Sequence, residues 1–129
     1  MQRWQELQKY VINLVASSGI IVEACPTSNV LISGVNSYAD HPIFRMAPPD
    51  GQGRLLVSLN TDDPITFSPN IRMEYQQLYQ TAIDQGRSVV ETLKWLEHIK
   101  NMGLNASFLP NEWEYPDRDQ RLSAIPADP

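Results

Sequence analysis

The chain has 129 residues, 42% of them hydrophobic and 19% charged, with a formal net charge of −5. That is room for one small globular domain, and the negative balance with no Lys/Arg cluster excludes a nucleic-acid-binding surface. No apolar run approaches the ~20 residues of a membrane span. No cationic start followed by an apolar core marks a secretory leader, and a single cysteine, Cys25, excludes an internal disulfide framework. The expectation is a reducing, cytoplasmic setting, with no nucleic-acid partner and no membrane.

In chain order, residues 2–16 predict an amphipathic helix. Trp4, Leu7, Tyr10, Val11, Leu14 and Val15 recur at three- and four-residue spacing on one face. Gly19 is its expected stop. Ile20 to Ala24 is a β-branched run without alternation, which suits a strand covered on both faces, as parallel sheets require. Residues 27–40, rich in Ser, Asn and Gly, read as a loop. His41-Pro42 then opens a short helical segment through Ala47, and residues 48–53 read as a turn. A second doubly covered strand is expected from Leu55 to Leu59.

Behind a polar loop, Ser68-Pro69 reads as N-cap and first residue of a helix. Its face is Ile71, Tyr75, Leu78, Tyr79, Ala82 and Ile83, and its stop is Gly86. Ser88 and Glu91 suggest a capping box for a last helix with the stripe Val89, Leu93, Leu96 and Ile99, closed by Gly103. Leu104 to Leu109 allows one more turn. Residues 110–129, rich in proline and carboxylates, read as an irregular tail from which Trp113 and Tyr115 can dock back. Helices alternating with doubly covered strands predict an α/β parallel-sheet architecture.

In such folds, functional groups collect at the carboxyl edge of the sheet. Two stretches occupy that place: Glu23-Ala24-Cys25-Pro26-Thr27-Ser28-Asn29 and Ser58-Leu59-Asn60-Thr61-Asp62-Asp63-Pro64. In an extended segment Asp62 and Asp63 point to opposite sides and can serve two partners, and Pro64 holds Asp63 extended. Two neighbouring anions repel, and a bound cation relieves that repulsion. An Asp-Asp-Pro turn that merely starts a loop is the plainer alternative. Among the other candidates, His41 reads as a capping or loop residue, His98 as a solvated helical residue and Cys25 as a small buried group. Ser28 and Asn29 read as partners for loop backbone groups. Glu23 either points inward from its strand or pairs with a basic group.

Taken together, these stretches resemble the adenosine deaminase family. The segment from Ser58 to Pro64 is similar to the signature that follows that family's last barrel strand. The segment from Glu23 to Asn29 resembles its Cys-Pro-x-Ser-Asn element one strand earlier. His41-Pro42 matches the opening of the intervening helix. Glu74-Tyr75 and Asn105-Ala106-Ser107-Phe108 match its post-strand helix and closing element. Asn60 and Cys25-Pro26 look more like nucleoside deaminases than AMP deaminases. The resemblance implies a zinc-dependent (β/α)8 barrel that hydrolyses the 6-amino group of adenosine to give inosine and ammonia. It makes Asp62 a zinc ligand that also orients the attacking hydroxide, and Asp63 a substrate-binding residue at the purine ring.

The family's metal site also needs a His-x-His, two further histidines and a glutamate proton donor. The two histidines of this chain match none of them. The expectation is therefore the C-terminal part of a TIM-type barrel, about two βα units plus terminal helices. Residues 1–109 form this segment, 110–129 the tail, and Met1 falls just after the strand that would carry the last histidine ligand. One carboxylate cannot hold a catalytic Zn2+, so the chain alone is expected to be inactive. Its open strand edges favour oligomers or aggregation unless the remaining barrel segment is supplied in cis or in trans. The competing readings are a non-catalytic α/β interaction module or remnant, and a metal-dependent deaminase of another amino-purine.

Overall fold

The computed structural model describes residues 2–51, 55–63 and 70–106. Helix α1 (Gln2–Ser17) forms where its periodicity predicts, and Gly19 leaves it with φ 69°, a left-handed conformation that glycine adopts freely. Strands β1 (Ile21–Ala24) and β2 (Leu56–Leu59) then pair in parallel, with Ile21 opposite Leu56 and Ala24 opposite Leu59. Their connection holds helix α2 (Pro26–Ile32), a 3-10 turn (Tyr38–Asp40) and helix α3 (Ile43–Met46). After β2 come α4 (Ile71–Asp84) and α5 (Val89–Asn105). The result is a mixed α/β fold around a two-stranded parallel sheet, among the described residues.

Several expectations are corrected. The first half of the stretch read as a loop is α2. Pro26 suits a first helical turn, and Val30, Leu31 and Ile32 continue the helix despite the preceding Ser and Asn. The N-cap of α4 is Asn70, not Ser68: its side chain accepts the Met73 amide at 3.0 Å. Ser68 and Pro69 themselves lie outside the described residues, as do Pro64 and the tail with Trp113 and Tyr115. Helix α5 does not stop at Gly103 but runs to Asn105. Gly103 lies beside β2, where an added Cβ would touch the Ser58 Cβ at 3.7 Å. The Ser88 hydroxyl does accept the Glu91 amide, at 3.2 Å. The other half of the capping box is replaced, because the Glu91 carboxylate takes Arg87 at 3.4 Å.

The core joins β2 to α3, α4 and α5 through Ile43, Val57, Leu59, Leu78, Ala82 and Ile99. Trp95 ties α5 to α3 in two ways. Its ring packs on Phe44 with centroids 5.4 Å apart, and its indole N–H donates to the Ala47 carbonyl at 2.6 Å. The buried face of α5 is rotated from the predicted stripe: Thr92, Trp95, Leu96 and Ile99 are buried, while Val89 and Leu93 are exposed. Helix α1 touches the core only through Ile12, Val15 and Ala16. Most of the stripe read from its sequence, Trp4, Leu7, Tyr10, Val11 and Leu14, lies exposed.

Candidate functional site

The parallel ladder gains one bond beyond β2, from the Asn60 amide to the Ala24 carbonyl at 2.9 Å. This fixes Asn60 beside the end of β1. Its side chain works in both directions, donating from Nδ2 to Glu23 at 3.0 Å and accepting the Thr61 amide on Oδ1 at 2.8 Å. Of the two readings left open for Glu23, a basic partner is not found among the described residues. Its carboxylate is exposed and takes the Asn60 amide.

Asp62 follows with φ 59°, and it is the one non-glycine residue described with a positive φ. Aspartate tolerates this left-handed geometry better than most residues. The alternation of side chains expected from an extended Asp62-Asp63 pair therefore does not apply at Asp62. Instead, its carboxylate accepts a hydrogen bond from the Ser28 hydroxyl at 2.7 Å. Ser28 is only 2% exposed and sits in the first turn of α2. Rather than satisfying loop backbone groups, its hydroxyl holds the aspartate across 34 residues of sequence. Asp62 and Asp63 are both exposed at the carboxyl edge of the sheet.

A second clamp lies behind this one. His41 is 3% exposed, and its Nδ1 accepts the Ile43 amide at 3.2 Å, the capping role expected of it. Nε2 therefore carries the proton, and it donates to Asn29 Oδ1 at 2.9 Å. Asn29, like Ser28, has a tertiary partner rather than a local one. Burial, followed by the Arg45 charge, holds His41 below the ordinary imidazole value of 6.5. Beside this clamp is a cavity of about 170 Å3 lined by Val22, Glu23, Asn29, His41 and Val57 among others. Neither aspartate lines it.

The site is strongly anionic. Burial, then the charges of Glu23, Asp62 and Glu74, push the Cys25 thiol above its ordinary value, against the backbone bond from Asp62. A raised pKa disfavours the thiolate, and Cys25, read as a small buried group, is half-buried.

Glu74 completes the arrangement, and sequence reading assigned it no role. Fully buried in the first turn of α4, it accepts the Thr27 amide on Oε2 at 3.1 Å. The signal was available: Glu74 precedes Leu78 and Ala82 at four-residue spacing, which places a carboxylate on the apolar face of α4.

The donor set does not fit a zinc ion unaided. No group of three or more His, Cys, Asp or Glu residues able to hold a metal occurs among the described residues. Both nitrogens of His41 are engaged, and His98 is exposed on α5. Asp62 stands as a single, well-oriented carboxylate.

A parallel strand pair with polar groups gathered at its carboxyl edge defines the class: an α/β protein that builds its site from strand-end loops. Comparison with known proteins identifies the family. The family model for adenosine deaminase matches residues 6–116, and the chain belongs to the adenosine deaminase family. It is 45% identical over 69 residues to an adenosine deaminase of Plasmodium falciparum (isolate 3D7), covering 54% of this chain and 18% of that protein. Over the same length it is 41% identical to an adenosine deaminase of Plasmodium gallinaceum, again 54% of this chain and 18% of the relative. To an adenosine deaminase of Clostridium perfringens (strain 13 / Type A) it is 35% identical over 69 residues, 54% of this chain and 20% of the relative. The matched segment thus spans about a fifth of these relatives. No solved structure matches. No described helix is long and apolar enough to cross a membrane.

Proposed function

We propose that this chain supplies one end of the active site of a zinc-dependent adenosine deaminase, as the C-terminal part of a (β/α)8 barrel. In this reading, residues 1–109 form the barrel segment and 110–129 the tail, within a reducing, cytoplasmic compartment. Asp62 is one metal ligand, and Asp63 binds the purine of a nucleoside whose 6-amino group is hydrolysed. The remaining ligands and the proton donor come from barrel segments outside this chain, so the chain alone does not turn over adenosine. The observation that carries this is the hydrogen bond from buried Ser28 to Asp62 at the end of β2. A carboxylate on an exposed turn has no need of a buried hydroxyl partner unless its direction matters. What this chain does on its own is orient that carboxylate: Ser28 occupies Oδ2, and the turn with positive φ presents the rest of the group at the sheet edge.

A chimera tests the reading. The matching segment of the Plasmodium falciparum relative is replaced by that of this chain, and zinc-dependent release of ammonia from adenosine is measured. Activity is expected, with zinc retention lost in Asp62→Asn and kcat/KM lowered about a hundredfold or more in Asp63→Asn. A folded chimera that keeps zinc but spares adenosine would point to another amino-purine. One that binds no zinc would favour a non-catalytic module. Turnover by the 129-residue chain alone would overturn the incomplete-site reading.

A further inference from the structure

The deaminase reading leaves Glu74 unexplained. Its side chain is fully buried, Oε2 takes one amide, and Oε1 has no hydrogen-bond partner among the described residues. A buried carboxylate with an orphaned oxygen is costly, and a fold keeps one only where it does something a neutral residue does not. The amide it takes belongs to Thr27, in the first turn of α2, where backbone N–H groups lack intrahelical acceptors. That turn has no cap of its own. Cys25 at the N-cap position makes no side-chain capping bond, and Pro26 has no N–H to offer. A Ser or Asp at position 25 would cap α2 locally without burying a charge. Position 25 instead carries a thiol that leaves the turn uncapped. The cap has been moved to α4, 47 residues away in sequence.

We propose that Glu74 is a positioning residue for Asp62, acting through the N-terminal turn of α2. The chain of contacts is continuous. Glu74 holds Thr27 N–H, the next residue is Ser28, and the Ser28 hydroxyl holds the Asp62 carboxylate. Asp62 lies on an exposed turn with φ 59°, and its carboxylate takes its hydrogen bond from Ser28 of α2. Its direction is set by α2, and α2 is set against α4 by one charge-assisted bond out of solvent. Thr27 adds a lateral tie, its hydroxyl lying 2.8 Å from the Tyr38 hydroxyl. The purpose assigned to this chain of contacts rests on the deaminase reading of Asp62; the mechanical claim does not.

Residue-resolved amide exchange on the full chain tests it. In the parent protein, the Thr27 amide is expected to be protected despite its place in a first helical turn. An unprotected Thr27 overturns the proposal whatever any variant does. In Glu74→Leu, which has no acceptor, the Thr27 amide exchanges about tenfold faster or more, and the Asp62 side-chain carboxyl carbon resonance moves from its parent position. The amides of Trp95, Leu96 and Ile99 in α5 are unchanged. Glu74→Gln, which keeps an acceptor, stays within about twofold of the parent exchange rate at Thr27 and leaves the Asp62 carboxyl resonance in place. Ser28→Ala frees Asp62 and leaves Thr27 protected, which gives the order of the chain. Equal acceleration throughout α5 would reduce Glu74 to a general stabilising residue and overturn the proposal. So would a freed Thr27 with Asp62 unmoved. None of these measurements involves zinc or adenosine, so failure here and failure of the chimera are separate results.

Discussion

Helices α1 and α5 both carry apolar side chains at helical spacing, and their fates in the fold are opposite. In α5, Trp95, Leu96 and Ile99 lie against β2, α3 and α4, with Ile99 only 1% exposed. In α1, Trp4 remains 76% exposed, and the helix is held mainly by Ile12, Val15 and Ala16 near its C-terminal end. The difference is in neighbours, not in the helices. An apolar stripe reports which face gains from burial; whether anything covers it depends on what else the fold supplies. Among the described residues, the half of the molecule built on β2 has its partners, and α1 is covered mainly near its C-terminal end.

That contrast can be broken by substitution. The largest effect is expected in the well-covered half: Leu78→Ala removes a side chain with no exposure and should cost about 2–5 kcal/mol in urea unfolding. A loss below about 1 kcal/mol would mean that the α4–α5 region is not a packed core.

A smaller, pH-dependent effect is expected where β1, α2 and α3 meet. His41 is buried neutral, with its folded pKa below the ordinary 6.5. The unfolded chain therefore takes up a proton first as pH falls. Stability from this group is complete above about pH 6.5 and declines below it until the folded pKa is reached. His41→Gln should flatten the slope of unfolding free energy between about pH 7 and 5. The smallest effect belongs to α1. Leu7→Gln on its exposed face should change unfolding free energy by less than about 0.5 kcal/mol, while reducing any self-association seen in sedimentation. A loss comparable to that of Leu78→Ala would show that α1 is covered in solution.

Much of this fold was legible in the chain. The two strands, the helices α1, α4 and α5, and the stop at Gly19 follow from apolar spacing and backbone chemistry that act within a few residues. Helix α2 was not legible, because Thr27, Ser28 and Asn29 are poor helix formers whose polar groups find distant partners: Glu74, Asp62 and His41. The candidate site shows the same division. Asp62 and Asp63 stood out as paired carboxylates at a strand end. Ser28 read as an ordinary loop residue, since a hydroxyl reveals nothing of what it bonds 34 positions away.

The sequence by itself determined that the chain is α/β, that its polar groups gather where two parallel strands end, and that it resembles adenosine deaminases. Those properties rest on side-chain period, turn residues and local order along the chain. Only the tertiary structure decided which stripe is buried, that Asp62 takes a left-handed turn, and that Ser28, Cys25 and Glu74 converge around it. The reason is physical. Burial and hydrogen bonding are properties of pairs, and the pairs that matter here join residues 34 and 47 positions apart.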